Sequence, residues 1–139
     1  MEEKIVYEKD IQLRVRYKET DQMGVVHHSN YPVYYEYART ELLRERGFTY
    51  KKMEQDGVMM PVREVGMRFH TPAFYDDLLT IKVKMHEIKG PRLRFDHEIR
   101  NEEGKLVNTG FVELVLVDAT TRRPCRAPKW FYDLFATAE

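Results

Sequence analysis

The first regular pattern in the chain is an alternation of apolar and polar residues. Apolar side chains stand at every second position from Ile11 to Tyr17, separated by Gln12, Arg14 and Arg16. A repeat of two places the apolar side chains on one face of a half-buried strand. The sequence therefore predicts a strand that ends at Tyr17, followed by a loop that contains glycine.

The repeat becomes helical after this loop. From Tyr31 onward, apolar residues recur three and four positions apart until Gly47 provides a stop signal. Asn30 or Ser29 can cap the segment, and Pro32 suits a first helical turn. One helix of about four turns is predicted. Its apolar stripe is expected to pack into the core rather than to bind a cofactor.

Strand periodicity dominates the remainder of the chain. Apolar residues alternate with polar ones over residues 79–86 and 93–99. The segments 89–91 and 101–104, which follow these two stretches, contain residues typical of turns. Long antiparallel strands joined by hairpins are therefore predicted.

The last third of the chain completes the predicted architecture. Residues 106–117 are apolar on both faces, which is typical of a central strand, and residues 128–136 predict a short helix on the sheet edge. The pattern as a whole predicts an α+β fold in which a five-stranded antiparallel sheet wraps around one long central helix. Because one helix covers such a sheet incompletely, we expect a homo-oligomer, a dimer or a tetramer.

Length and charge narrow the class of protein. The 139 residues are read as a single domain, 1–139, and 23 basic residues balance 23 acidic ones. Zero net charge argues against nucleic acid as a partner. Apolar runs are too short for membrane insertion, and the single cysteine, Cys125, has no intrachain partner for a disulfide. With no leader-like N-terminus, we expect a cytoplasmic protein.

Several short motifs follow one another along the chain. They are Tyr17, Thr20-Asp21, Gly24-Val25-Val26, His28, Asn30-Tyr31, Ala38-Arg39-Thr40-Glu41, Pro61-Val62-Arg63 and the stretch 71–77. In this order they resemble one enzyme family, the 4-hydroxybenzoyl-CoA thioesterase-like branch of the hot-dog acyl-CoA thioesterases. The resemblance extends over nearly the whole chain, and it is the combination of motifs that is specific. Two departures, Gln22-Met23 and His27, stand where small residues and a tyrosine are common in that family.

The resemblance implies a hot-dog fold and a homodimer with a continuous sheet, often paired into a tetramer. It also implies active sites at the subunit interface, with acyl-CoA as the substrate bound across the surface. No cofactor and no metal are expected. The acyl group stays open, since the depth of the pocket depends on packing at the interface.

Asp21 is the candidate for the attacking group. A carboxylate with an ordinary pKa of about 3.9 is ionised at neutral pH. It can attack a thioester carbonyl directly, or it can deprotonate a water molecule. An aspartate in a loop can also simply close a turn. Unpaired N–H groups at the start of the helix can polarise the carbonyl oxygen, since they lie at the positive end of the helix dipole.

The resemblance assigns further roles. It implies that the backbone N–H of His28 is the oxyanion donor, that the His28 ring holds the loop or the thioester, and that Tyr17 positions the acid. Asp21, His28 and Tyr17 form the expected catalytic set. The expected substrate-binding residues are Gly24, Val25, Val26, His27, Asn30, Tyr31 and Arg63.

Other chemistries fit the sequence less well. Neighbouring histidines on a loop point in different directions, so His27 and His28 are not expected to share a metal with Asp21. Ser29 lacks the surroundings of a hydrolase nucleophile. Glu36 on the helix is a competing carboxylate, which we read as a surface charge near Arg39.

The sequence thus predicts an acyl-CoA thioesterase that releases a carboxylic acid and CoA. Two alternatives remain at this point. One is a module that binds acyl-CoA or acyl-carrier protein without catalysis. The other is a hydratase acting on enoyl thioesters.

Overall fold

Five antiparallel strands and one long helix form the body of the protein, which a computed structural model describes over residues 4–135. Two further short strands, β2 (Val58–Met59) and β7 (Val117–Asp118), pair with each other. In the main sheet the order is the first strand, the fourth, the fifth, the sixth and then the third. These strands are β1 (Ile5–Arg14), β3 (Val62–Phe69), β4 (Leu78–His86), β5 (Arg92–Arg100) and β6 (Leu106–Val115).

The long helix α1 (Tyr31–Glu45) lies against one face of the sheet. Its buried side chains include Tyr34, Ala38 and Leu42, which are at most 1% exposed. They belong to the same core as the inward residues of the sheet, such as Val83. The predicted α+β architecture of one helix on a five-stranded sheet is confirmed.

Two predicted strand positions need correction. Strand β1 ends at Arg14 rather than at Tyr17, because Tyr17–Glu19 form a 3₁₀ turn. Strand β6 lies inside the sheet between β5 and β3, but β5 occupies the middle. Its pairing with β5 and β3 makes β6 an interior strand, as its apolar faces indicated, one place from the middle of the sheet.

The smaller helices also differ from the prediction. Helix α2 (Tyr50–Gln55) was not predicted, although Thr49 caps it by accepting a hydrogen bond from the Lys52 N–H at 3.1 Å. Helix α3 (Lys129–Leu134) matches the predicted C-terminal helix within the described residues. Its Phe131 ring meets the ring of Phe48, just beyond the end of α1, edge to face with centroids 5.4 Å apart.

A buried polar cluster lies between α1 and the sheet. The Tyr35 ring stacks on His97 with ring centroids 4.2 Å apart, and the Tyr35 hydroxyl donates to Asn108 Oδ1. A Cβ atom at Gly110 would lie 2.3 Å from that hydroxyl and 2.6 Å from the Gly66 carbonyl oxygen. Glycine at 110 is therefore what allows the helix to approach the strand.

One edge of the main sheet carries exposed apolar side chains. Strand β3 is an edge strand, and its Val65 and Phe69 side chains are 40% and 57% exposed. In α1, Val33 and Tyr37 are also exposed. Between residues 4 and 135, no helix is both long and apolar enough to cross a bilayer.

Candidate active site

The loop between β1 and α1 folds back on itself in a tight turn. Thr20 and Val26 face each other in a β-bridge. The Asp21 N–H donates to the Val25 carbonyl at 2.9 Å, and the Gly24 N–H donates to the Asp21 carbonyl at 2.9 Å. Gly24 has a φ of 81°, which is accessible to glycine at little cost. The turn thus presents Asp21 at the tip of the loop.

The two carboxylate oxygens of Asp21 have different surroundings. Oδ1 accepts a hydrogen bond from the Met23 N–H at 2.8 Å and a longer one from the Val25 N–H at 3.4 Å. Oδ2 accepts no hydrogen bond from the part of the chain that the structure describes. The side chain lines an open cleft of about 640 Å³ together with Tyr17 and Tyr75. Asp21 therefore closes the turn with one oxygen and offers the other to the cleft.

The second feature of the loop is an unused N–H at the start of the helical segment. Residues His28–Asn30 form a 3₁₀ turn that leads directly into α1. The N–H groups of His27 and Asn30 donate to the carbonyls of Glu19 and His27, at 2.9 and 3.0 Å. The His28 N–H finds no acceptor within residues 4–135. It is a free donor at the positive end of a helical segment.

His28 opens onto a second, smaller cleft. This cleft has a volume of about 250 Å³ and is mainly apolar, with Tyr31 and Phe69 on its walls. The Tyr31 and Phe69 rings meet edge to face, with centroids 5.6 Å apart. Val25 lines this cleft, and the preceding residue, Gly24, lines the cleft that contains Asp21. One loop therefore contributes to the lining of both clefts through consecutive residues.

Glu19 is a buried residue that ties this loop to the rest of the protein. It is 4% exposed, and its carboxylate accepts hydrogen bonds from Arg16 N and Nε and from the Tyr34 hydroxyl, each at 2.8 Å. Burial raises the pKa of Glu19, but the hydrogen bonds from Arg16 and Tyr34 outweigh this and bring the pKa below its ordinary value. The carboxylate is therefore ionised in its buried position.

Three of the expected site residues make contacts within the protein itself. Tyr17 is 76% exposed and meets Tyr75 edge to face at 5.6 Å. The His27 ring is engaged locally, since its Nδ1 lies 2.8 Å from Ser29 Oγ. Asn30 occupies the predicted N-cap position of α1, but its side chain makes no capping bond, since its amide donates to the Glu19 carbonyl at 2.8 Å.

The other expected residues surround the loop, with one exception. Val26 is buried, and its N–H donates to the Ala73 carbonyl at 2.8 Å. Arg63 lies near the opposite end of β3 from Phe69, which corresponds to about 20 Å along a strand. Its guanidinium contacts Glu113 at 2.7 Å. Within one protomer, Arg63 is therefore not part of the site.

The structure gives little support to a metal site or to Glu36 as the catalytic carboxylate. The described residues contain no group of three or more His, Cys, Asp or Glu side chains arranged to hold a metal. Glu36 is on the exposed side of α1, and one of its oxygens is 3.9 Å from Arg39 Nη2. Neither residue lines the clefts at Asp21 and His28.

Comparison with known proteins shows which family the chain belongs to. The model of the thioesterase-like superfamily matches residues 15–135. The chain belongs to this superfamily. It is 37% identical over 117 residues to the acyl-CoA thioester hydrolase YbgC of Escherichia coli O6:H1 (strain CFT073), covering 84% of this chain and 87% of the relative. It is 33% identical over 122 residues to the putative acyl-CoA thioesterase YneP of Bacillus subtilis (strain 168), covering 88% of each.

A solved structure of this superfamily gives the same result. The DHNA-CoA thioesterase from Staphylococcus aureus superposes with a TM-score of 0.84 at 32% identity, covering 91% of this chain and 85% of that protein. The hot-dog fold and the resemblance to acyl-CoA thioesterases are thereby confirmed.

Sequence reasoning missed the contact that ties the Asp21 loop to the helix, between Glu19 of the loop and Tyr34 of α1. A glutamate three positions after the residue that precedes a helical turn is the spacing of a capping box, and Arg16 and Glu19 form one here. That spacing was the available signal. The hydroxyl of Tyr34 gave no signal, because the residue fits the apolar stripe of the helix.

Proposed function

We propose that this superfamily member hydrolyses an acyl-CoA thioester to a carboxylic acid and CoA, with Asp21 as the attacking or activating group. One observation carries the proposal: a carboxylate with an unengaged oxygen and an N–H with no acceptor lie on the same short loop. Thioester hydrolysis requires these two functions, a nucleophilic oxygen and a donor for the developing oxyanion. The names of the relatives support the same substrate class.

The reaction can follow either of two balanced routes. In the first, Asp21 Oδ2 bonds to the thioester carbon, the carbon–sulfur bond breaks, and CoA leaves as a thiolate that takes a proton from solvent. Water then hydrolyses the acyl-aspartyl anhydride and regenerates the carboxylate. In the second, Asp21 takes a proton from water while the resulting hydroxide attacks the same carbon; the carbon–sulfur bond then breaks, and the CoA thiolate takes the proton back from Asp21, which regenerates the carboxylate. In both routes the carbonyl oxygen becomes negative next to the His28 N–H.

The active unit that we propose is a homodimer joined along β3. An edge strand with exposed Val65 and Phe69 leaves unpaired backbone groups and apolar surface in water. Antiparallel pairing with a second copy removes both. It also brings Arg63 of one protomer towards the Phe69 end of the other, which makes its cation available to a CoA phosphate.

An acyl-CoA panel with a thiol reagent tests the function. Purified protein is incubated with short, long and aromatic acyl-CoA thioesters, and free CoA is measured with time. We expect CoA release for at least one class of acyl group. Binding that raises Tm without thiol release would instead identify a non-catalytic module, and loss of enoyl absorbance without free CoA would identify a hydratase. Either result contradicts the proposal.

A further inference from the structure

Glu19 makes contacts at both of its ends. Through its carboxylate it is bonded to Arg16, just after β1, and to the hydroxyl of Tyr34 in the first turns of α1. Through its carbonyl it accepts the N–H of His27 at 2.9 Å and the side-chain amide of Asn30 at 2.8 Å. One residue therefore joins the strand, the loop and the helix.

These contacts lie next to the two groups that the proposed reaction uses, the Asp21 carboxylate and the His28 N–H. His27 and Asn30 stand on either side of the His28 N–H donor, and both are tied to the Glu19 carbonyl. Asp21 follows Glu19 by two residues, so the anchoring of Glu19 also fixes the base of its turn. The relative position of Asp21 and the His28 N–H depends on this anchor.

The carboxylate contacts are stronger than those of an exposed ion pair. The Glu19 side chain is 5% exposed, and Arg16 Nη2 lies 2.7 Å from Glu19 Oε2. Hydrogen bonds to a charged carboxylate are stronger than neutral ones, although the Arg16 side chain itself is 64% exposed. The Tyr34 hydroxyl is buried with Glu19, so removing the carboxylate leaves that hydroxyl without its acceptor.

We infer that Glu19 is a positioning residue for thioester hydrolysis, holding the Asp21 turn and the His28 N–H at their working separation through Arg16, Tyr34, His27 and Asn30. The inference rests on the proposed function. Glu19 does not line either cleft, so it acts through the loop and not on the substrate. Small misplacements of reacting groups cost up to about a hundredfold in rate.

The kinetic test compares Glu19→Gln and Tyr34→Phe with Tyr35→Phe as the matched control. Tyr34 and Tyr35 are adjacent, both buried, and each donates its hydroxyl to a side-chain acceptor, but Tyr35 bonds Asn108 outside the loop. We expect kcat to fall about ten- to a hundredfold in the first two variants, with KM changed less than about threefold. In Tyr35→Phe we expect kcat close to that of the wild type.

A second readout does not depend on activity. Amide hydrogen exchange reports whether the His27 N–H remains bonded to the Glu19 carbonyl. In Glu19→Gln we expect faster exchange at His27, with amides of β5 unchanged. If no acyl-CoA is hydrolysed by the wild type, the proposed function fails, whereas faster exchange at His27 still supports the anchor.

Two results would overturn the inference. One is wild-type kcat and wild-type exchange at His27 in Glu19→Gln. The other is an equal loss of kcat in Tyr35→Phe, since this would show that any lost buried hydroxyl has the same effect. If Glu19→Gln does not fold, the comparison of Tyr34→Phe with Tyr35→Phe decides alone.

Discussion

At the scale of single residues, the proposed site depends on one side chain and one backbone group. Asp21 uses Oδ1 to accept the Met23 N–H and leaves Oδ2 to the cleft. His28 contributes its N–H, and its exposed ring lines the neighbouring cleft. A carboxylate can thus close a turn and remain available for chemistry, so the structural and catalytic readings of Asp21 do not exclude each other.

Substitutions at His28 separate the ring from the backbone. His28→Ala keeps the N–H, so we expect kcat within about tenfold of the wild type. His28→Pro loses the ring as His28→Ala does and also loses the N–H donor, and proline fits both the start of a helical turn and the extended His27 before it, which has a ψ of 140°. We expect kcat to fall about a hundred- to a thousandfold, as for other oxyanion donors.

These two variants are compared by steady-state hydrolysis of the same acyl-CoA, with circular dichroism as the control for folding. A folded His28→Pro enzyme that keeps wild-type kcat would show that this N–H does not stabilise the oxyanion.

At the scale of elements, the approach of α1 to β6 is set by glycine. Gly110→Ala would place a methyl group 2.3 Å from the Tyr35 hydroxyl and 2.6 Å from the Gly66 backbone oxygen. We expect a loss of about 1 to 3 kcal/mol in the free energy of unfolding. Gly66→Ala is the control, because its methyl group meets the Phe111 ring, which can rotate away. Equal Tm values for the two variants would contradict this explanation.

The buried His97 makes the stability of the folded protein depend on pH. Burial, and then the charge of Arg39, lower the pKa of His97 to about 3, whereas an unfolded histidine titrates near 6.5. Between these values the unfolded chain binds the proton and the folded one does not, so stability is complete above about pH 6.5 and falls as the pH decreases.

From this pKa shift we expect the free energy of unfolding to fall by about 3 kcal/mol between pH 7 and pH 4, because the unfolded chain protonates His97 and the folded one does not. His97→Phe keeps an aromatic ring next to Tyr35 and removes the titrating group. Urea unfolding at both pH values measures the difference. The variant should lose less stability than the wild type, and an identical loss would show that other groups cause the acid sensitivity.

At the scale of the whole molecule, the proposed homodimer makes strand β3 an interface instead of a free edge. Val65→Glu places a charge in that interface. We expect a shift from dimer to monomer in sedimentation velocity, together with a lower kcat/KM, because Arg63 would no longer reach the partner's site. Ile5→Glu on β1, at the other edge of the sheet, is the matched control.

The two edge variants make the dimer testable against simple surface effects. If Val65→Glu sediments as the wild type does, or if Ile5→Glu dissociates the protein equally, β3 is not the interface.

The sequence predicted the whole-molecule architecture better than its details. Alternation identified β4 and β5 because their inner faces are buried and their outer faces are polar. Strand β3 gave a mixed pattern because an edge strand is exposed on both faces in the protomer. Glu19 stands in a charged stretch beside Lys18, and only the fold shows that it is buried.

The most direct measurement of the central claim is the kcat of Asp21→Asn on an acyl-CoA that the wild type hydrolyses. Asparagine keeps an oxygen that can accept the Met23 N–H, so the turn is retained while the charge is lost. If Asp21 attacks or activates water, kcat falls at least about a hundredfold with little change in Tm. Full activity in this variant would contradict that role.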